Sequence, residues 1–167
     1  MNKVIDLFDR LSDMVGNLIA PITIIMMVLT CIVVFVRYLL NAGAIPIQET
    51  VVYLHGSVFM LGIAYTLKQS AHVRVDILYS RFSPRKQALV NLFGTTVFLI
   101  PFSIFLLWTS LDFVSLSWSL NESSAEPGGL PFVYLLKTLI PIMPVLLLAQ
   151  GIAEIMRNLS YLRHGDS

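Results

Sequence analysis

The sequence predicts an all-α membrane protein with four transmembrane helices. Four long apolar stretches carry this prediction, and they lie at residues 14–36, 45–67, 88–111 and 132–155. A hydrocarbon core about 30 Å thick is crossed by about 20 helical residues, so each stretch is long enough to span it. Composition agrees, because hydrophobic residues make up 56% of the chain and charged residues only 13%. In lipid a helix satisfies its own backbone hydrogen bonds, which favours helices for all four stretches.

The elements are expected to follow one another within a single membrane domain, residues 1–167. Residues 1–13 place apolar side chains at helical spacing among acidic ones, which predicts an amphipathic helix lying in the membrane interface. The four transmembrane helices are predicted at about residues 14–37, 46–67, 84–119 and 132–156. The polar stretch 68–87 predicts a short interfacial segment on the cytoplasmic face, between the second and third helices.

Proline and glycine mark the ends of the predicted helices. Pro46 opens the second helix and Pro84, after a capping Ser83, opens the third, since proline is tolerated in the first helical turn. The cluster 126–131 is rich in proline and glycine and predicts a turn before the fourth helix. Pro141 and Pro144 remove backbone donors within that helix and predict a kink.

The distribution of positive charge predicts that both termini are cytoplasmic. Short loops rich in lysine and arginine stay on the cytoplasmic side of a membrane. Four spans place the termini and the middle loop together, and that side then holds nine of the eleven basic residues. The other side holds only Arg37 and Lys137, both at span edges, and its loop 112–131 contains acidic but no basic residues.

The polar residues within the spans exclude several functions. None of them is acidic; they are Thr30, His55, Ser57, Thr95, Thr96, Ser103 and Gln150. A transporter core needs ionisable groups or broken helices near the bilayer midplane. The single cysteine, Cys31, rules out dithiol chemistry, and a net charge of +1 gives no indication of a nucleic-acid partner. We therefore expect a transporter subunit, with no enzymatic activity and no cofactor or metal.

Four residues are expected to organise contacts between helices. Gly56 and Gly62 would let neighbouring helices approach the second span closely. Arg37 and Glu49 lie at the outer face on consecutive spans, and two interpretations stay open for them. They form an ion pair that fixes the first hairpin or is shared with a partner, or they remain apart as a snorkelling arginine and a glutamate that compensates the helix dipole.

Two other classes of function are weighed. A four-helix haem or electron-transfer protein would use His55 as a ligand, but no second histidine lies at a matching depth, so a packed neutral His55 is the expectation. A small self-dimerising exporter would use an intramembrane carboxylate, whereas Glu49 lies near the end of its span.

A motif around residues 62–76 resembles a known family. Gly62 leads into a basic stretch and then His72-Val73-Arg74-Val75-Asp76, which is similar to the signature of the small membrane subunits of TRAP (tripartite ATP-independent periplasmic) transporters, the DctQ-like family. Arg37-Tyr38, followed by Glu49, also resembles the family pattern. Many members have a tryptophan shortly before the glutamate, where this chain has Ile47-Gln48. Lys137 and the turn at 126–131 are similar to a subgroup associated with 2-oxo acids and other organic monoacids.

The resemblance implies a role in a three-part, sodium-coupled importer of organic acid anions in the bacterial inner membrane. A periplasmic substrate-binding protein would capture the anion and a large membrane subunit would carry it. The small subunit would pack beside the large one as a scaffold and help to receive the binding protein. His72, Arg74 and Asp76 would then form a structured cytoplasmic elbow, where the residues alone allow a solvated loop as well.

Overall fold

The computed structural model describes residues 2–69, 79 and 81–164, and this part of the chain is helical with no strand. The helices are α1 (Asn2–Leu39), α2 (Ile45–Lys68), α3 (Pro84–Ser119) and α4 (Val133–His164). All four are long and apolar enough to cross a membrane, so the predicted class of fold is confirmed for this part. We call the end where α1 begins and α4 finishes the terminal end. The opposite end, with segments 40–44 and 120–132, is the loop end.

The first helix is continuous from Asn2 to Leu39, so residues 2–13 belong to the same helix as the first span. No helix-breaking signal occurs near Asp13, and the helix also continues through Pro21. Its first turns pack through a polar face, on which Ser12 is buried. Of the apolar face predicted for the interface, Val4 and Leu7 are exposed, whereas Phe8 and Leu11 are half-buried.

The helices form an open row in which α4 is central. It contacts α2 on one side and α3 on the other, and α1 packs along α2 and also reaches α4. Few apolar side chains are buried, and Leu147 and Ala153 of α4 are among them. An open row of this kind leaves broad apolar surfaces, which suit a lipid or protein environment better than water.

Glycines set the close approaches around α2. A methyl group placed on Gly62 would lie 3.0 Å from Ile19 Cδ1 of α1, and one on Gly56 would lie 3.1 Å from Leu136 Cδ1 of α4. The closest approach is at Gly16 of α1, where a Cβ would lie 2.6 Å from Cδ2 of the Tyr65 ring. Gly62 therefore faces α1 and Gly56 faces α4, while a third glycine, Gly16, packs against the ring of Tyr65.

We expect Gly16→Ala to destabilise the contact between α1 and α2. The added methyl group overlaps the Tyr65 ring, and overpacking of this kind costs about 1–3 kcal/mol. Gly94→Ala is the matched control, because a Cβ there meets nothing within 4 Å. The free energy of unfolding of both variants is measured by denaturation of the purified protein in detergent. Equal stability of the two variants would contradict the packing described here.

The third helix contains one π-helical turn, Thr95–Leu99, between the α-helical segments Pro84–Gly94 and Ile100–Ser119. Pro101 follows it after one residue, and a proline ring removes one ladder hydrogen bond and crowds the carbonyl four residues earlier. A wider turn at that point relieves the crowding. Gly151 of α4 packs against this turn, since a Cβ there would lie 2.8 Å from Leu99 Cδ2.

Candidate functional site

The polar side chains gather at the two ends of the helix row. The loop-end cluster joins α2, α3, α4 and the segment 120–132. Its members are the side chains of Glu49, Ser117, Glu122, Ser124 and Lys137 and the backbone N–H of Leu130. The terminal-end cluster joins α1, α2 and α4; its members are Asp9, Ser12, Asp13, Lys68, Gln150, Glu154, Arg157 and Asn158.

The loop-end cluster begins with a chain reversal at the end of α3. Asn121 adopts a left-handed conformation with φ of 45°, which asparagine tolerates better than most residues. Its N–H bonds to the Trp118 carbonyl and the Glu122 N–H bonds to the Ser117 carbonyl, each at 3.1 Å, as in a Schellman motif. The reversal turns Glu122 back toward the last turn of α3.

Glu122 links α3 to α4 through its carboxylate. Its Oε2 accepts a hydrogen bond of 2.6 Å from Ser117 Oγ and forms a 2.5 Å ion pair with Lys137 Nζ. The ammonium group of Lys137 also lies 4.2 Å from the centre of the Phe113 ring. Lys137 is thus oriented by a carboxylate and an aromatic ring, both from the α3 side.

Glu49 of α2 anchors the other side of the segment 120–132. Its carboxylate accepts hydrogen bonds from Ser124 Oγ and, at 2.6 Å, from the backbone N–H of Leu130. The Ser124 N–H bonds in turn to the Leu130 carbonyl at 3.0 Å, which closes the segment into a compact loop. A loop 75 residues away in sequence is therefore held on α2 by one carboxylate.

Gly129 leaves the space that this anchor needs. A Cβ at this position would lie 2.5 Å from Ser124 Oγ and 2.7 Å from Glu49 Oε1. Both distances are shorter than non-bonded carbon and oxygen atoms allow. The neighbouring Gly128 has φ of 78°, a conformation that glycine adopts without strain. The predicted turn cluster is thus shaped around Glu49.

The protonation of Glu122 makes the stability of the loop-end cluster depend on pH. The hydrogen bond from Lys137, followed by that from Ser117, lowers the pKa of the Glu122 carboxyl from its ordinary value. A lowered pKa in the folded state means that this carboxylate stabilises the protein above the ordinary glutamate pKa. The stabilisation is lost progressively as the pH falls from the ordinary value through the lower, folded-state value.

We expect the melting temperature in detergent to hold as the pH falls to about 4.3, the ordinary glutamate pKa, and to drop below it. Glu122→Gln removes the titrating group and should flatten that part of the curve. Glu126→Gln, at an exposed glutamate in the same loop, is the matched control and should leave the curve unchanged. A Glu122→Gln curve identical to that of the unmodified chain would contradict this assignment.

The terminal-end cluster is centred on Asp9 and Gln150. The Gln150 side chain is fully buried; it accepts a bond of 2.8 Å from Ser12 Oγ and donates one of 3.2 Å to Asp9 Oδ1. Arg157 Nη2 bonds both Asp9 oxygens, at 3.0 and 2.9 Å, and Nη1 bonds Glu154 Oε2 at 2.6 Å. These bonds tie the first turns of α1 to α4.

Lys68 adds the end of α2 to the same cluster. Its ammonium group forms a 2.5 Å ion pair with Asp13 and donates to the Asp9 carbonyl at 3.2 Å. Asn158 completes the α4 side with bonds to the Glu154 carbonyl and carboxylate, at 2.8 and 3.1 Å. Three helices are therefore joined by side chains at one end of the row.

The residues predicted from the sequence differ in whether they make contacts in the structure. Glu49, Gly56, Gly62 and Lys137 all take part in contacts between elements, as described above. Arg37 is exposed at the end of α1, and within the described residues no ion pair joins it to Glu49. His72, Arg74 and Asp76 lie outside the described residues.

The expectation that His55 packs within this chain is wrong. Its side chain is exposed on α2, because the helix turns the adjacent Gly56 toward α4. Cys31 is likewise exposed, on α1. No cluster of three or more potential metal-ligating side chains occurs in the described part of the chain.

Sequence reasoning missed both clusters as networks. The terminal-end cluster had a readable signal, since Gln150, Glu154, Arg157 and Asn158 recur at helical spacing on one face of α4. Asp9, Ser12 and Asp13 share a face of α1 in the same way. The loop-end cluster had no signal of this kind in the sequence, because the partners of Glu49 are a serine and a backbone amide in a distant turn.

Comparison with known proteins now assigns the chain to a family. The family model described as "Tripartite ATP-independent periplasmic transporters, DctQ component" matches residues 26–160 of the 167. Neither curated proteins nor solved structures yielded a match. The matched range runs from within α1 almost to the end of α4 and confirms the family to which the sequence shows a resemblance. The chain therefore belongs to the DctQ family, the small membrane subunits of TRAP transporters, which are transporter components and not enzymes.

Proposed function

We propose that this chain is the scaffold subunit of a sodium-coupled importer of organic acid anions. A large permease subunit carries the anion, and a periplasmic binding protein delivers it. The chain lies in the bacterial inner membrane with both termini in the cytoplasm. On this proposal it moves no cargo itself and braces the permease instead.

The proposal rests chiefly on the lack of charged residues in the middle of the described helices. Between the two polar clusters the described helices contain no aspartate, glutamate, lysine or arginine; the charge-free ranges are 14–36, 50–67, 87–111 and 138–153. An anion crossing the bilayer needs a compensating charge or polarised helix ends at the midplane. Polar groups concentrated at both ends support a bracing role in a family of transporter components.

The distribution of charge supports the proposed orientation. Among the described residues, the terminal end carries most of the basic ones, including Lys68, Arg81 and Arg157, whereas the loop end has Arg37 and Lys137. Basic residues in short loops favour the cytoplasmic side. The loop end would then face the periplasm.

The anchored loop supports a role in receiving the binding protein. Glu49 and Glu122 hold the segment 120–132 at two points, on α2 and on α4. A surface that is ordered before binding loses less conformational entropy when a partner docks. We propose that this loop is part of the platform on which the binding protein sits.

Reconstitution in proteoliposomes tests the proposal. The chain alone, the permease alone, and both together with the binding protein are compared for uptake of radiolabelled pyruvate and succinate under an inward sodium gradient. We expect co-purification of the chain with the permease, uptake by the complete system only, and loss of uptake when the sodium gradient is collapsed. Uptake by vesicles that contain this chain alone would refute the scaffold role.

A further inference from the structure

One face of α2 is exposed along a line of four residues, which we call the α2 stripe: Gln48, Val52, His55 and Phe59. Val52 is 55% exposed and Phe59 is 62% exposed. The intervals along the stripe alternate between four and three residues, the spacing at which one helix packs along another. Toward the terminal end the stripe stops, because α1 covers α2 at Gly62.

His55 lies deep in the span. It follows Ile45, the first residue of α2, by about ten residues, or about 15 Å along the helix axis. This is about half of a hydrocarbon core about 30 Å thick. Its imidazole has no hydrogen-bond partner within the described part of the chain. A polar group left unpaired in hydrocarbon is costly, and such groups almost always face protein instead of lipid.

Exposed polar residues also occur on α1 and α3, at Asn17 and Thr96, but the outward surface of α4 is different in kind. The exposed residues of α4 within the span are aliphatic and suit lipid directly; they are Leu135, Ile142, Val145 and Ile152. The exposed hydroxyls of Thr30 and Thr109 bond to carbonyls of their own helices, at 2.8 and 2.9 Å. His55 and Gln48 form no such side-chain bond within the described part of the chain.

We propose that the α2 stripe is the surface on which the large permease subunit packs. The contact is made by one transmembrane helix that offers a hydroxyl, amide or carboxylate group at the depth of His55. The inference rests on the proposed function and adds the contact surface to it.

Position favours this occupant over a second copy of the chain. The stripe begins at Gln48, next to Glu49, which holds the segment 120–132. A permease helix on the stripe would therefore end beside the proposed platform for the binding protein. One docked binding protein could then touch both membrane subunits.

Photocross-linking in the intact complex tests the surface. A benzophenone amino acid is placed at His55 or at Phe59, with Val145 on the aliphatic face of α4 as the matched control. We expect cross-links to the permease from both stripe positions and none from Val145. Products with a second copy of the chain, or stripe positions that label only lipid while the permease still co-purifies, would overturn the inference and leave the proposed function intact. Failure of the unmodified chain to co-purify would overturn both.

Substitution of His55 tests the hydrogen bond. His55→Leu should weaken association with the permease about threefold to tenfold, the usual range for a hydrogen bond between membrane helices. His55→Gln should restore most of the affinity, and both variants should unfold in detergent like the unmodified chain when isolated. Val145→Leu is the control. Unchanged association of His55→Leu would remove the hydrogen bond from the proposal, and a loss of stability in the isolated variant would show that His55 supports the fold.

Discussion

Glu49→Gln should release the segment 120–132 from α2 while the four helices stay folded. The carboxylate accepts bonds from Ser124 Oγ and the Leu130 N–H, and an amide can offer only one acceptor oxygen in its place. A hydrogen bond to a charged group is stronger than one between neutral groups. Amide hydrogen exchange of the loop, followed by mass spectrometry, should accelerate about tenfold to a hundredfold, with little change in the helices.

Two glycine variants provide a convergent test and its control. Gly129→Ala places a methyl group against Ser124 and Glu49 and should reproduce the faster exchange without touching the carboxylate. Gly43→Ala, in the other loop at the same end, meets nothing within 4 Å and should leave exchange unchanged. Unaltered exchange of the segment 120–132 in both Glu49→Gln and Gly129→Ala would show that Glu49 does not hold it.

Arg157→Met should detach the first turns of α1 from α4. The substitution keeps the apolar stem and removes two hydrogen bonds to Asp9 and one to Glu154, so two carboxylates lose their cation. The arginine side chain is 40% exposed, which weakens the interaction relative to a buried pair. We expect a loss of about 1.5–3 kcal/mol in the free energy of unfolding, measured by denaturation in detergent.

A double-mutant cycle separates the pair from general effects. Asp9→Asn combined with Arg157→Met should cost less than the sum of the two single variants, because the second change removes a bond that is already broken. Arg163→Met, at an exposed arginine on the same helix, should be nearly neutral. Strict additivity would exclude direct coupling between Asp9 and Arg157.

Length and hydropathy were sufficient to predict the four helices, because the thickness of a bilayer imposes a length that a run of apolar residues either meets or does not. Gly56 and Gly62 could be proposed from the sequence as points of close approach, since a missing side chain is visible there. Their partners, Leu136 and Ile19, could not be predicted, because a glycine carries no information about which helix approaches it.

The first helix shows what a local pattern leaves open. Residues 1–13 have the spacing of an amphipathic helix, and a lone helix of this kind would place its apolar face in the membrane interface. In the folded chain the polar face is the one that packs, since Ser12 and Asp9 bond to Gln150 and Arg157. Their partners are more than 130 residues away in sequence.

The sequence by itself determined that this chain is a helical membrane protein whose spans carry no charge in their middle, because composition and length are local properties. Only the tertiary structure decided that Glu49 holds a distant loop, that Asp9 meets Arg157, and that His55 faces outward. These depend on how each helix is rotated about its axis, which is set by packing against neighbours. In a bilayer, where apolar surface is satisfied by lipid on every side, hydropathy alone leaves that rotation open.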